Sequence, residues 1–218
     1  MAKAETSTER RCRGRPQLRS DDETRRIIYD AARHEFAANG YAATSTETVA
    51  RRAGISTKTL YRLVPNKAAL FEFMVADRLD RLSLDITLSA ADEVDIETAL
   101  HAALMVCADV SLDAEVVSVQ RIVLQEAGQF SDLAATFYRN GVTRLIAALA
   151  DWLRIQIRRG RLRLDDPDEA AGILIGMVAS APQRAAIYGG VPLPSRSQIE
   201  RRVRFCTALF LKGCGAKG

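Results

Sequence analysis

The side chains best placed to do chemistry in this 218-residue chain lie between Thr44 and Lys67, in the stretch TSTETVARRAGISTKTLYRLVPNK. They are hydroxyls and cations rather than nucleophile and base pairs: Thr44, Ser45, Thr46, Ser56, Thr57, Lys58, Thr59, Tyr61, Arg62 and Lys67. Groups of this kind donate to phosphate oxygens and read the edges of bases. A lysine donates to the guanine acceptors and a threonine methyl meets the thymine methyl, so Thr57, Lys58 and Thr59 are expected to discriminate sequence. Tyr61, Arg62 and the cap hydroxyls are expected to hold phosphate, which positions a protein on nucleic acid without specifying where.

To act together these residues need a rigid mount. Val49, Ala50, Ala53, Ile55, Leu60 and Leu63 recur on either side of Gly54, predicting two short helices that cross steeply and share one core. Thr44 or Ser45 is expected to cap the first, with Glu47 three residues after Thr44 forming a capping box, and Ser56 to cap the second. A longer helix from about Asp22 to Asn39-Gly40 precedes them. Its stripe of Ile28, Ala31, Ala32 and Phe36 covers the pair, with Gly40 as left-handed C-cap and Tyr41 folding back on the helix end. Residues 1–19 read as a basic, flexible arm. Within it Arg13-Gly14-Arg15-Pro16 is similar to an AT-hook core, which places Arg13 and Arg15 in a minor groove.

Across residues 25–70 this pattern resembles the TetR/AcrR family of transcriptional regulators. The resemblance is carried by Ala31, Ala32, Phe36, Gly40, Tyr41, Thr44, Val49, Ala50, Ala53, Gly54, Ser56, Thr59, Leu60, Tyr61 and Lys67. It implies that Ser45, Thr57, Tyr61 and Lys67 touch phosphate or base, Lys67 from the start of a fourth helix. Two residues depart from the pattern: Lys58 stands where a glycine is common, and Val64 where an aromatic is usual.

Beyond Lys67 the periodicity predicts a long helix from Asn66 toward Leu88, then helices near 95–110, 113–128, 131–159, 167–188 and 197–211, with Asn140-Gly141 kinking or breaking the seventh. The expected fold is all-α with about nine helices: a three-helix helix-turn-helix DNA-binding domain over 20–67 and a larger helical effector-binding and dimerisation domain over 68–218. By resemblance, loosely of the AefR-like subgroup, the last two helices form a four-helix bundle with a second copy. Small residues Ala171, Gly172, Gly176 and Ala179 would allow close approach, and Val203, Phe205, Leu209 and Phe210 would supply apolar surface. A small-molecule effector is expected among the fourth to eighth helices. The candidates for its pocket are His101, Met105, Gln120, Gln125, Tyr138, Trp152 and Met177, and the ligand is expected to be neutral or anionic and apolar.

Charge divides the chain. Residues 1–67 carry 14 Lys or Arg against 8 Asp or Glu, whereas the remainder is slightly acidic, as for a polyanion-binding end joined to something else. Cys12, Cys107, Cys206 and Cys214 lack metal-ligand spacing and read as thiols in a reducing cytoplasm. The longest apolar run, from Ala170, is 12 residues, too short for a membrane span. No Gly-x-Ser-x-Gly, His-Glu-x-x-His, Cys-x-x-Cys or phosphate-cradling glycine loop occurs, and His34 and His101 are the two histidines, so neither an enzyme nor a metal or organic cofactor is expected. The expectation is a homodimeric, ligand-responsive regulator, a repressor by family habit, on a palindromic double-stranded operator. The competing reading is a nucleoid-type DNA-binding factor without an effector, to be separated from it by the presence of a dry or polar-lined cavity.

Overall fold

Ser20 opens the first helix because its hydroxyl accepts from the Glu23 amide at 3.1 Å while the Glu23 carboxylate accepts from the Ser20 amide at 2.8 Å. Three acids in the first turn add to the capping box by facing the positive helix end. In the computed structural model, which describes residues 19–73 and 94–214, this helix α1 runs Asp21–Ala43 but is broken at Gly40, where φ is 76° and ψ 175°. That backbone is open to glycine and strained for any other residue. The expected stop at Asn39-Gly40 is therefore a kink followed by one further turn. Tyr41 packs back on Phe36 with ring centroids 5.5 Å apart. The arm bearing Arg13 and Arg15, and the fourth helix beyond residue 73, lie outside the described residues.

Helix α2 (Thr46–Arg52) and α3 (Thr57–Leu63) follow at the predicted places, separated by Gly54 at φ 65°. The α2 cap differs in detail from expectation. Ser45 accepts from the Thr48 amide and Thr48 returns the bond, so the box is Ser45 with Thr48 and not Thr44 with Glu47. Val64, the departure from the aromatic pattern, is fully buried beneath α3. A fourth helix, α4, is described over 67–73.

The larger part is built from α5 (Ile96–Ser111), α6 (Ala114–Glu126), α7 (Ser131–Phe137), α8 (Arg144–Arg158), α9 (Pro167–Ile175), α10 (Ala181–Tyr188) and α11 (Arg196–Cys214). Side chains of Asp95, Asp113 and Asp166 cap α5, α6 and α9. A π-helical turn, Tyr138–Thr143, joins α7 to α8 without a break, and a second, Gly176–Ser180, joins α9 to α10. Asn140-Gly141 thus widens its helix by an inserted residue rather than ending it. Taking each π-interrupted helix as one, the described residues form nine helices and no strand. Helices α8 and α9, and α5 and α11, pack extensively, while α6 lies against α1 and joins the two parts. Trp152, Leu100, Leu104, Leu149 and Leu153 are fully buried in this core.

Candidate nucleic-acid interface and effector cavity

The first turn of α3 stands clear of the rest of the molecule because Leu60 and Leu63, on its other face, are buried. Ser56 caps it, its hydroxyl accepting from the Thr59 amide at 3.1 Å. Ser56, Thr57 and Lys58 are exposed and Thr59 is half-buried. Tyr61 is exposed at the ring, and its hydroxyl lies 2.7 Å from that of Thr46, which locks the angle between α3 and the start of α2. Arg62 is also exposed but forks onto Asp21 with two 2.8 Å hydrogen bonds, which push its pKa up and tie the end of α3 to the start of α1. Ser45 is half-buried and serves as the α2 cap. The neighbouring Glu47 carboxyl is pulled below its ordinary pKa by its own backbone amide and the Ser45 hydroxyl, a sign of the positive field at that helix end.

Three residues expected at the nucleic acid have side chains turned inward. Thr44 is 2% exposed, and its hydroxyl donates to the carbonyls of Gly40 at 2.7 Å and Glu35 at 3.1 Å. Thr46 is buried with its hydroxyl engaged by Tyr61. Lys67 donates to the carbonyls of Tyr41, Thr44 and Ala42 at 2.8, 3.0 and 3.3 Å and sits 4.4 Å above the Tyr41 ring. Burial pushes its pKa down, against the opposing pull of Glu126. The break at Gly40 strips nearby carbonyls of helical donors, and an ammonium has three hydrogens to replace them. Neither α1 nor α4 shows this pairing by itself, since the partners lie more than twenty residues apart.

A cavity of about 250 Å³ opens between α6 and the two π turns. Its wall is largely apolar, with Val116, Val119, Phe137, Leu145 and Ile175 among the contributors. Its polar residues are Arg33, Ser111, Glu115, Gln120, Ser180 and Gln183, and the Gln120 side-chain oxygen has no hydrogen-bond partner among the described residues. Both π turns face it, through Gly141 and Val142 in one and Gly176, Ala179 and Ser180 in the other. A π turn spreads the backbone and strands carbonyls, here satisfied from α11, whose Arg202 donates to Val178 at 2.8 Å and to Met177 at 2.6 and 3.0 Å.

Of the residues expected in a pocket, Gln120 alone lines this cavity. Trp152 and Met105 are buried in the core, where large apolar side chains repay burial most. Tyr138 and Gln125 point to solvent, and His101 is half-buried away from the cavity. Met177 is half-buried and away from the cavity too, and its carbonyl is held by Arg202. The small residues Gly172, Gly176 and Ala179, expected at a subunit face, line the cavity. His34 is exposed, as its position opposite the apolar stripe predicts.

Sequence reasoning missed the contacts that join the two parts. Near the start of α6, Glu115 meets Arg33 of α1 at 3.3 Å; at its end, Glu126 accepts from the Ala42 amide at 3.3 Å, beside Lys67. A 13-residue helix of about 20 Å therefore touches the cavity at one end and the Gly40 kink at the other. Glu35, largely buried, holds Arg52 of α2 at 2.5 Å.

A short capped helix presented from a three-helix mount, with a separate helical body behind it, defines a helix-turn-helix DNA-binding protein. Residues 28–74 match the family model of bacterial regulatory proteins, tetR family, and residues 98–215 match that of the AefR-like transcriptional repressor, C-terminal domain. The chain belongs to the TetR family of transcriptional regulators, which bind DNA and are not enzymes. Over 197 residues it is 23% identical to the HTH-type transcriptional regulator YvkB of Bacillus subtilis (strain 168), covering 88% of this chain and 98% of that one. Its fold is similar to that of a TetR-family regulator from Mesorhizobium loti MAFF303099, at 27% identity, TM-score 0.80 and coverage of 91% and 100%. It is also similar to the flavonoid-responsive regulator FrrA, at 28% identity, TM-score 0.71 and coverage of 90% and 100%.

Proposed function

We propose that the protein is a homodimeric, effector-released repressor acting in the cytoplasm, with α3 of each subunit in one half-site of a palindromic operator. The observation that carries the DNA part is Lys58: exposed on the first turn of a buried-backed helix, with no hydrogen bond or ion pair to any described residue, it is available to a base edge. Thr57 and Thr59 flank it, and Ser45, Ser56, Tyr61 and Arg62 are positioned for phosphate, Arg62 by exchanging Asp21 for a phosphate oxygen. Thr44, Thr46 and Lys67 support this face from behind and do not belong to it.

Dimerisation is supported by apolar surface that one chain leaves uncovered. The stretch Pro167–Tyr188 has mean hydropathy 1.3 over its most apolar window, yet only 28% of that window is buried. Ile173 on it, and Phe205 and Leu209 one turn apart on α11, are each more than half exposed. A helix with that length and composition could also cross a membrane, but here it packs on α5, α8 and α11 as part of a helical body. The cavity with its few polar groups favours an effector-responsive protein over a nucleoid-type factor.

A gel-shift titration with DNA upstream of the protein's own gene tests the reading. Lys58→Ala is expected to cost about 1–3 kcal/mol, roughly five- to 150-fold in affinity, with relaxed sequence preference. Binding indifferent to both DNA sequence and this substitution would refute base reading by α3.

A further inference from the structure

We infer that the effector is an apolar acid whose anionic group is read by Arg33, a residue of the DNA-binding unit's own first helix. This rests on the cavity being the effector site and names its ligand class. Arg33 divides its guanidinium between two carboxylates: Nη2 is bonded to Asp30, one turn earlier on α1, and Nη1 meets Glu115 of α6 at 3.3 Å. Arg33 and Glu115 together line the main cavity and also a cleft of about 70 Å³ beside it, bounded by His34 and Ile122. Their ion pair is thus a partition between the two spaces.

The two halves of that pair are unequal. The Glu115 side chain is 56% exposed and its charge sits in the first turn of α6, where helix amides favour it with or without a partner. The Arg33 side chain is 28% exposed and depends more on its partners. A carboxylate or ionised phenol on an apolar ligand can replace Glu115 on Nη1, leave Asp30 on Nη2, and release Glu115 to water at small cost. A cationic ligand would have to take Glu115 and strip Arg33 of its cavity-side partner. The apolar walls supplied by Val116, Val119 and Ile146 require the rest of the molecule to be hydrophobic. Because Arg33 belongs to α1, which packs on α2 and α3, the exchange swaps an α1–α6 contact for an α1–ligand contact and gives the ligand different affinities for the two arrangements of these helices.

The test uses the full-length protein and matched acid, primary alcohol and primary amine triples on three apolar bodies: a decyl chain, naphthalene and biphenyl. Calorimetry measures binding, and displacement from an operator fragment measures release. At least one acid should bind roughly tenfold or more tighter than its alcohol, the margin of one charge-assisted hydrogen bond, and more tightly still than its amine. Arg33→Gln should erase that preference while leaving alcohol binding in place. Glu115→Gln, which removes the competing charge and keeps the side-chain shape, should tighten acid binding severalfold; a merely structural pair would not show that gain. If Arg33→Gln does not fold, the ligand series on the native protein and on Glu115→Gln still decides. Equal binding of acid and alcohol on every body, preference for an amine, absence of binding by every acid, or an unchanged Arg33→Gln profile would each overturn the assignment. Operator binding is measured in the same preparation without ligand. Intact operator binding, with release by an alcohol or an amine instead, leaves the regulator reading standing and removes only the acid, whereas loss of sequence-specific binding removes the regulator reading itself.

Discussion

Lys58 in α3 and Lys67 just beyond it are nine residues apart, and their surroundings give them opposite work. Lys58 projects from an exposed helical turn, whereas Lys67 is spent on three carbonyls and an aromatic face at the Gly40 kink. Lys67→Met keeps the apolar stem and removes the ammonium, so it is expected to lower unfolding free energy by about 1–2 kcal/mol in urea melts. It should leave the slope of log affinity against log salt unchanged, where loss of a phosphate contact would reduce that slope by about 0.9. The two thiols described, Cys107 and Cys206, are buried; burial pushes the Cys107 thiol up to about 12 and raises that of Cys206. Thiolate is the reactive form, so iodoacetamide at pH 8 followed by peptide mapping should leave Cys107 unlabelled in the folded protein and label it in urea.

At the scale of elements, local signals were legible and distant ones were not. Caps and breakers act within four residues, and so Gly54 and Ser56 stand where the sequence places them, and Gly40 marks a break at its expected position, as a kink and not as the end of α1. Where two hydroxyls competed, as at Thr44 and Ser45, the choice was made by the carbonyls of Glu35 and Gly40, which draw Thr44 inward. The cavity was not legible, because its wall comes from seven helices and two π turns rather than from one spacing. Residue types familiar from binding sites, Trp152, Met105 and Tyr138, went to the core or to solvent, while Val, Ile and Gly line the space. The kink offers a direct check. A Cβ at Gly40 would meet nothing closer than the Glu126 carboxylate at 3.7 Å, so Gly40→Ala should cost about 1–3 kcal/mol through backbone strain alone, read as a lower urea midpoint with an unchanged slope.

For the molecule as a whole, α6 is the link that the described residues make visible between cavity and DNA-binding unit, with Arg33–Glu115 at one end and Ala42–Glu126 at the other. The fourth helix is described only at its start, where Lys67 meets the same kink. The proposed dimer adds a second requirement, since one α3 would read only half of the proposed palindrome. Phe205→Glu places a charge on the exposed apolar face of α11. Light scattering should then report a monomer, and operator binding should fall by more than tenfold even though α3 is untouched.

The most direct measurement is selection of bound duplexes from a random DNA pool, carried out in parallel on the native protein and on Lys58→Ala. An inverted repeat with two equivalent half-sites is expected, and for Lys58→Ala the same repeat with preference lost at one base pair in each half. An enriched sequence without two-fold symmetry, no enrichment at all, or an identical motif from both proteins would contradict that expectation.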